Sequence, residues 1–315
     1  MKWQTKALIL RQLSQIPMGK RLYLLMQKLA GSNRAQPERD FARIVELLEM
    51  IQQSGQSAQG KVFFEIGSGW HPYAPLGCYL AGAEKIITVD VNPWMSLASA
   101  RECIEASQKH IQQFAKTRGL DEASVSARYQ KINLAASSLD QLLASMRTEY
   151  HSPGDASATG LESHSVDFII SSNVLEHIPG PILKAITEES FRILKPGGLY
   201  VHRFNPGDHY ANDDGSVTTA NFLQFSSNTW KKYGEGLAYH NRMRCSEFSD
   251  IFREAGFISL IEKERVDPEA VKAIEDKTFE VNDEFKRFSL EDLAADYMWY
   301  AGKKPTTVLE VKAGI

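Results

Sequence analysis

Between residues 61 and 204 the sequence alternates short apolar runs with segments of helical periodicity. Runs rich in β-branched and aromatic residues predict strands, and apolar residues spaced three or four apart predict helices. We expect strands at 61–66, 85–90, 126–132, 166–171 and 199–204, with intervening helices at 73–81, 95–114, 138–146 and 181–194. Such alternation is typical of a parallel sheet with right-handed crossovers. The chain is therefore predicted to be an α/β protein with a doubly wound, mostly parallel sheet.

The segments on either side of this alternation have other patterns. Residues 38–53 have helical spacing, and 205–244 form a long aromatic stretch that indicates a lid or substrate wall. A small satellite core is the alternative for that stretch, and the two are compatible. Beyond it we expect a helix at 246–255, a strand at 257–261, a helix at 266–277 and a final edge strand at 297–302. The predicted units are an N-terminal helical cap (1–55), a nucleoside-binding core (56–204), an insertion (205–245), the C-terminal part of the core (246–303) and a tail (304–315).

Composition indicates an ordinary globular protein. Of the 315 residues 43% are hydrophobic and 24% charged, and the net charge of -3 gives no whole-chain signal for nucleic-acid binding. The three cysteines (Cys78, Cys103 and Cys245) are far apart, so they indicate neither a disulfide framework nor a paired-cysteine zinc site. With no long apolar run in the sequence, these features predict a cytoplasmic protein.

The first 34 residues are basic. They contain seven lysines and arginines and no acidic residue, interleaved with leucines, and they indicate two helical pieces broken near 16–19. A helical cap packed on the core is the expected arrangement. Contact of residues 1–34 with an anionic membrane surface is the alternative.

A glycine turn follows the first predicted strand. Glu65, Gly67 and Gly69 stand at the end of that strand, and Asp90 ends the next one, which is how a nucleoside is held on a doubly wound sheet. A dinucleotide fingerprint would need a third glycine where Pro72 stands, and Glu65 would repel a pyrophosphate. No Walker loop follows the turn either. The pattern therefore favours a nucleoside ligand without phosphates.

These motifs resemble those of the class I S-adenosylmethionine (SAM)-dependent methyltransferases. The resemblance rests on the acid and glycines of 65–71, Asp90, the run 166–178 with its Leu-Glu-His, and the Leu-Lys-Pro-Gly-Gly turn at 194–198, in the family's order and spacing. It covers 61–204 and extends more weakly to 303. His71 departs from it, because the family has a third glycine there. The resemblance implies a seven-stranded sheet and SAM as the cofactor, a cation whose site suits acidic residues.

The resemblance also implies a set of cofactor-binding residues. Asp90 is expected to accept the ribose hydroxyls, Asn133 is the nearest candidate for the adenine amino group, and Asn173 should line the methionine part. The full predicted set is Glu65, Gly67, Ser68, Gly69, Asp90, Val91, Asn133 and Asn173.

For the reaction we expect methyl transfer to a small-molecule acceptor, with a hydroxyl oxygen of a natural product or glycan precursor as the favoured target. Such an acceptor loses a proton, and histidine suits the role of base near neutral pH. The candidates are His209 first, then His202 and His71. Asp208, Tyr239 and Arg242 are the expected substrate contacts. No metal ligand is assigned; a divalent ion held by His202, Asp208 and His209 is an alternative that is not favoured.

Two other functions remain open at this point. One is N- or C-methylation on the same scaffold. The other is a non-catalytic SAM-binding subunit that acts through its basic N-terminus on a membrane or a partner. Nucleic-acid methylation is not expected, because the sequence after the fourth strand, Ser171-Ser172-Asn173-Val174, lacks the Asn/Asp-Pro-Pro-Tyr/Phe motif. The oligomeric state is not predicted.

Overall fold

A mostly parallel sheet forms the centre of the protein. The computed structural model describes residues 1–19, 22–23, 26 and 34–307, so most of the second basic helical piece and the tail from 308 lie outside the described residues. Within the described part, one sheet contains seven strands: Val62–Ile66 (β1), Lys85–Val89 (β2), Thr148–His151 (β3), Val166–Ser172 (β4), Leu194–Phe204 (β5), Ile258–Val266 (β6) and Ala295–Lys303 (β7).

The strand order is β3-β2-β1-β4-β5-β7-β6, and β7 is the strand that runs antiparallel to both of its neighbours. The order reverses between β1 and β4, where the chain crosses from one half of the sheet to the other. Ligands of open α/β sheets bind at such a switch point, beyond the carboxyl ends of the strands. The predicted fold class, a doubly wound seven-stranded sheet, is confirmed.

Helices cover both faces of the sheet. The described α-helices are Trp3–Gln15 (α1), Pro37–Gln53 (α2), Tyr73–Leu80 (α3), Leu97–Ser107 (α4), Ile111–Arg118 (α5), Glu122–Gln130 (α6), Leu139–Ser145 (α7), Gly180–Ile193 (α8), Ser227–Trp230 (α9), Cys245–Glu254 (α10), Pro268–Glu275 (α11) and Leu290–Ala294 (α12). On β1, Phe63 packs in the apolar cluster of α2 to α7, whereas Phe64 packs in the cluster of α8 and α10. Because successive side chains alternate across a sheet, a strand buried on both faces reads as the continuous apolar run seen in the sequence.

A third apolar group, here called the satellite cluster, lies outside the two sheet faces. Its buried members are Trp3, Ala7, Tyr210, Ala220, Phe222, Leu223, Trp230, Ala270, Phe285, Leu293 and Ala294. The Trp3 ring lies 5.5 Å from the Tyr210 ring and 5.9 Å from the Trp230 ring, measured between centroids. The aromatic residues of the insertion thus pack against α1 and the segment around α11 and α12.

Two predicted strands differ from the structure. Residues 126–132, predicted as the third strand, lie mostly in α6, because Val125, Tyr129 and Ile132 are spaced to bury one helical face and Asp121 caps the helix at Ser124 N. The third strand is instead Thr148–His151. The last strand in the chain, predicted at the edge of the sheet, lies between β5 and β6. The edge strand at that end of the sheet is β6, whose residues are largely exposed. Among the described helices, none has the length and apolar character needed to cross a membrane.

Candidate functional site

The turn after β1 favours glycine through its backbone conformation at Gly67 and Gly69, and through close packing at Gly67. Gly67 and Gly69 have φ angles of 81° and 61°, a region that favours glycine. A Cβ on Gly67 would lie 2.5 Å from Val174 Cγ2, so the segment after β4 packs directly on the turn. The Gly67 amide donates to Val89 O at 2.8 Å. Backbone groups of the turn therefore lie at the switch point, where a ligand can approach them closely.

Glu65 stabilises this turn from beneath. It is buried, and its Oε2 accepts a hydrogen bond from Thr88 Oγ1 at 2.5 Å, while Thr88 Oγ1 lies 2.5 Å from Ser68 Oγ. Burial raises the pKa of Glu65 to about 8, and the nearby charge of Asp90 adds to this rise. Glu65 and Ser68 thus both contact the Thr88 hydroxyl in the protein interior. This shared contact supports the turn.

Asp90 lies at the carboxyl end of β2, next to the turn. Its Oδ2 accepts from Gly69 N at 3.0 Å and its Oδ1 from Asn92 N at 2.9 Å. A carboxylate oxygen has two lone pairs and can accept from more than one donor. Adjacent ribose hydroxyls are such donors. An acidic residue beside a glycine turn at the switch point fits the nucleoside of SAM, and Val91 next to it is exposed.

Asn173 is held in a left-handed conformation after β4, with a φ of 56°. Its amide donates to Arg203 O at 2.8 Å, and its Oδ1 accepts from Arg203 Nη1 at 2.9 Å and from Tyr297 Oη at 2.5 Å. Arg203 is in turn paired with Glu46 of α2 at 2.7 Å. The sequence analysis did not identify Arg203 and Tyr297 as hydrogen-bond partners of Asn173, because both lie far along the chain from it.

The prediction for Asn133 depended on a third strand at 126–132, where the structure has helix α6 for most of those residues. The residue follows helix α6 and is exposed, and its amide donates to Ser145 Oγ at 3.0 Å, at the end of α7 that leads into β3. The segment that does follow β3 approaches Asp90, because Gly154 N donates to Asp90 O at 2.9 Å. Asp155 in that segment is the acid that a correct placement of β3 would have indicated.

A histidine cluster (His177, His209 and His240) lies beyond the carboxyl ends of β4 and β5. The His209 ring centroid is 5.0 Å from that of His177 and 5.0 Å from that of His240. Glu176 and His177 lie in the 3₁₀ turn Leu175–His177, and His209 begins the 3₁₀ turn His209–Asn212. Burial lowers the pKa of His209 to about 4, and the charge of His177 adds to this, so the ring is neutral at pH 7. The sequence analysis gave Glu176 and His177 no role beyond the Leu-Glu-His run.

The structure contradicts the prediction of His202 as a base. Its side chain is fully buried between Tyr200 and Phe252, and its Nδ1 lies 2.6 Å from Ser171 Oγ. Burial lowers the pKa of His202 to about 3. The unfavoured alternative, a metal set of His202, Asp208 and His209, is contradicted for the same reason, because His202 packs inside the sheet.

His71, the third predicted base, packs with a different set of residues. Its ring lies 5.6 Å from that of Tyr73, and the charges nearest to it belong to Glu102, Asp40 and Arg39. Burial lowers its pKa. The structure thus groups His71 with α2 and α4, whereas His209 belongs to the histidine cluster.

Of the predicted substrate contacts, two are engaged within the protein. Asp208 is buried and accepts from Tyr210 N at 2.9 Å and from Asn221 Nδ2 at 2.7 Å. Arg242 donates to Phe222 O at 3.1 Å and to Phe225 O at 2.5 Å, and pairs with Glu284 at 3.4 Å. Both residues therefore hold the insertion together, and their prediction as substrate contacts is corrected. Tyr239 is half-buried, and its carbonyl contacts His177.

Comparisons with known proteins gave a family match and structural similarities. The family model described as "Methyltransferase domain" matches residues 117–202. No curated protein matches the chain in sequence. A SAM-dependent methyltransferase of Methanosarcina mazei is similar in structure, with 16% identity, 81% of this chain and 97% of that one covered, and a TM-score of 0.45. Phosphoethanolamine N-methyltransferase 2 of Haemonchus contortus, solved with S-adenosyl-L-methionine, has 15% identity, coverage of 82% and 52%, and a TM-score of 0.43.

The family match begins after the glycine turn and Asp90, so it concerns a later part of the chain. The match ends within β5, so it includes the 3₁₀ turn with Glu176 and His177. Residues 117–202 thus match a methyltransferase domain, within a sheet whose strand order reverses between β1 and β4.

Proposed function

We propose that this protein transfers the methyl group of SAM to a hydroxyl oxygen of a small-molecule acceptor, a natural product or a glycan precursor. The observation that carries the proposal is the histidine cluster beyond the carboxyl ends of β4 and β5. Asn173, which the resemblance assigns to the methionine part of SAM, follows β4 only a few residues before His177. A hydroxyl acceptor needs to lose its proton beside the methyl donor, and imidazole is suited to that task.

SAM, when bound, supplies an electrophilic methyl group on a sulfonium. The residues of this chain bind and orient it: Asp90 accepts from the ribose hydroxyls, the Gly67–Gly69 backbone leaves space for the ligand, and Asn173 orients the methionine part. Much of the rate of such a displacement comes from holding the acceptor oxygen about 3–3.5 Å from the methyl carbon. Tyr239 and the aromatic insertion form the wall that positions the acceptor, and His209 is the site of proton removal.

Labelled SAM tests this function directly. The protein is incubated with isotopically labelled SAM and an extract of its own cells, and the labelled product is isolated. An O-methylated small molecule is expected. A label on nitrogen or carbon would contradict the oxygen assignment. Binding of SAM without transfer to any acceptor would instead indicate a non-catalytic subunit.

His209→Ala tests the role of the cluster. The variant should lose about 100-fold or more of the turnover rate, the usual contribution of proton transfer by a side chain. Its affinity for SAM should change little, because Asp90 and the glycine turn belong to other elements. His151→Ala is the matched control, since the His151 ring is exposed on the edge strand β3. Unchanged turnover of the His209 variant at every pH would remove His209 from the reaction.

A further inference from the structure

Glu176, His177 and His209 bring three metal-ligand atoms together beyond the carboxyl ends of β4 and β5. One ligand atom of each residue lies within 4.8 Å of those of the other two. Two of the residues belong to the turn after β4, and the third comes from the insertion after β5. Two separate elements therefore converge on one point.

Both imidazoles are oriented by backbone carbonyls. His177 Nδ1 lies 3.2 Å from Tyr239 O, and His209 Nε2 lies 3.3 Å from Asn205 O. A carbonyl oxygen only accepts, so these two nitrogens carry the hydrogens. The other nitrogen of each ring keeps its lone pair. A histidine that donates from one ring nitrogen to a carbonyl is oriented in the way that metal-binding histidines are.

Glu176 contributes a buried carboxylate with unused capacity. Its Oε1 accepts from Asn205 N at 3.2 Å, whereas its buried Oε2 has no hydrogen-bond partner among the described residues. A buried carboxylate oxygen without a partner is costly, and a cation would offset that cost.

The turn that carries Glu176 is fixed in place by Asn241. The Asn241 amide donates to Glu176 O at 2.7 Å, and its Nδ2 donates to Leu175 O at 2.9 Å and to Ile178 O at 2.8 Å. The side chain is itself buried. A ligand group needs such support, because coordination depends on positions that are fixed before the ion binds.

We propose that Glu176, His177 and His209 bind a divalent first-row transition cation whose open coordination positions take the acceptor oxygen. The proposal rests on the proposed methyl transfer to oxygen. Two imidazoles and one carboxylate suit these cations better than Mg²⁺ or Ca²⁺, and three protein ligands leave positions for substrate. His177 is exposed, so the site is open on one side. With the cation bound, His209 is a ligand that activates the acceptor through the cation, and direct proton removal by His209 is kept for the cation-free site.

Coordination favours the ionised form of a hydroxyl group. The acceptor proton leaves to a solvent base. The oxygen lone pair forms the new bond to the methyl carbon, the methyl–sulfur bond breaks, and its electron pair stays on sulfur. The products are the methyl ether and S-adenosylhomocysteine.

A second group of metal-ligand side chains consists of Cys245, Glu264 and Asp292. This group lacks the unused hydrogen-bonding capacity that Glu176 has. Asp292 accepts from Ser246 Oγ at 2.5 Å and lies 3.4 Å from Ser246 N. Cys245 is buried at the start of α10. Asp292 thus already bonds to a neighbouring protein group, and neither Glu264 nor Asp292 has a buried oxygen without a partner among the described residues.

The test is a titration of the full chain with Co²⁺ after chelator treatment, without SAM or acceptor, followed by visible absorption and calorimetry. One equivalent per chain is expected. His177→Ala should weaken binding at least about tenfold, as loss of a ligand does, and its exposed ring makes normal folding the expectation. Glu176→Gln should weaken binding in the same way, and His151→Ala should bind like the wild type. Melting temperatures check the folding of each variant.

Different results would overturn different parts of the proposal. Failure of the wild type to bind Co²⁺, or equal binding by His177→Ala, would overturn the cation site. Full-rate methylation by the chelator-treated protein would overturn the role of the cation in the reaction and leave the proposed function standing. Binding at these residues with no methylated oxygen in any product would leave the site standing and contradict the proposed function.

Discussion

Among single residues, the buried carboxyl group of Glu65 should dominate the pH dependence of stability. Its pKa is raised to about 8 in the folded protein, whereas a glutamate in the unfolded chain titrates near 4.5. The folded state therefore binds the proton more tightly, and its contribution to stability is complete below about pH 4.5 and is lost as the pH rises toward 8. The loss is on the order of a few kcal/mol.

Glu65→Gln removes this titration and keeps an oxygen for the Thr88 hydroxyl. We expect the free energy of unfolding to fall between pH 5 and pH 8 in the wild type and to change less in the variant. Urea unfolding at several pH values measures it. Glu149→Gln is the control, because Glu149 is an exposed partner of Lys85. Equal pH slopes for the wild type and Glu65→Gln would show that Glu65 is ionised in the folded state.

The residues of the cofactor turn could be predicted from the sequence because their chemistry follows from local position. Gly67 and Asp90 come directly after strands that the apolar runs mark clearly. Asn133 could not be placed, because its assignment depended on the third strand. His202 shows a different limit: its type suits a base, but whether a strand residue points toward the ligand or into the core depends on packing that one sequence does not specify.

Between elements, the contact of the glycine turn with the segment after β4 is tight enough to test. Gly67→Ala must accept a φ of 81° and a Cβ that overlaps Val174. The left-handed backbone conformation alone lowers the stability of the folded state by about 1–2 kcal/mol for a residue other than glycine. Gly119→Ala has a similar φ of 63° but no atom within 4 Å of its Cβ, so it reports the backbone term alone.

We expect Gly67→Ala to lower the melting temperature more than Gly119→Ala does, and to weaken SAM binding, which Gly119→Ala should not. Thermal shift with and without SAM measures both effects. Adding Val174→Ala should restore part of the loss by removing the overlapping methyl groups. If the two glycine variants behave alike, the contact with Val174 adds nothing to the cost.

Long elements with a clear period could be predicted, and short or solvated ones could not. β1, β2, β4 and β5 are buried on both faces, so hydrophobicity marks them. β3 has only four residues with a mixed burial pattern, and nothing local distinguishes it from a loop. The edge position of β6 follows from the antiparallel pairing of β7, a long-range contact that periodicity does not encode.

For the molecule as a whole, the satellite cluster joins three distant parts of the chain. Trp3 of α1 contacts Tyr210 and Trp230 of the insertion, and its amide donates to Asp214 Oδ2 at 2.8 Å. Tyr210 directly follows His209 in the chain. The position of His209 therefore depends on packing by the first helix, whereas the glycine turn lies in another part of the fold.

Trp3→Ala separates these two parts. Removal of a buried tryptophan costs about 3–5 kcal/mol of packing, and the cost falls on the satellite cluster. We expect turnover to fall at least tenfold and protease cleavage within 205–245 to speed up, while the dissociation constant for SAM stays within about twofold. Leu8→Ala on the exposed face of α1 is the control and should change neither quantity. An equal loss of SAM affinity and turnover would mean that α1 supports the entire sheet, because the glycine turn and the insertion would then respond as one unit.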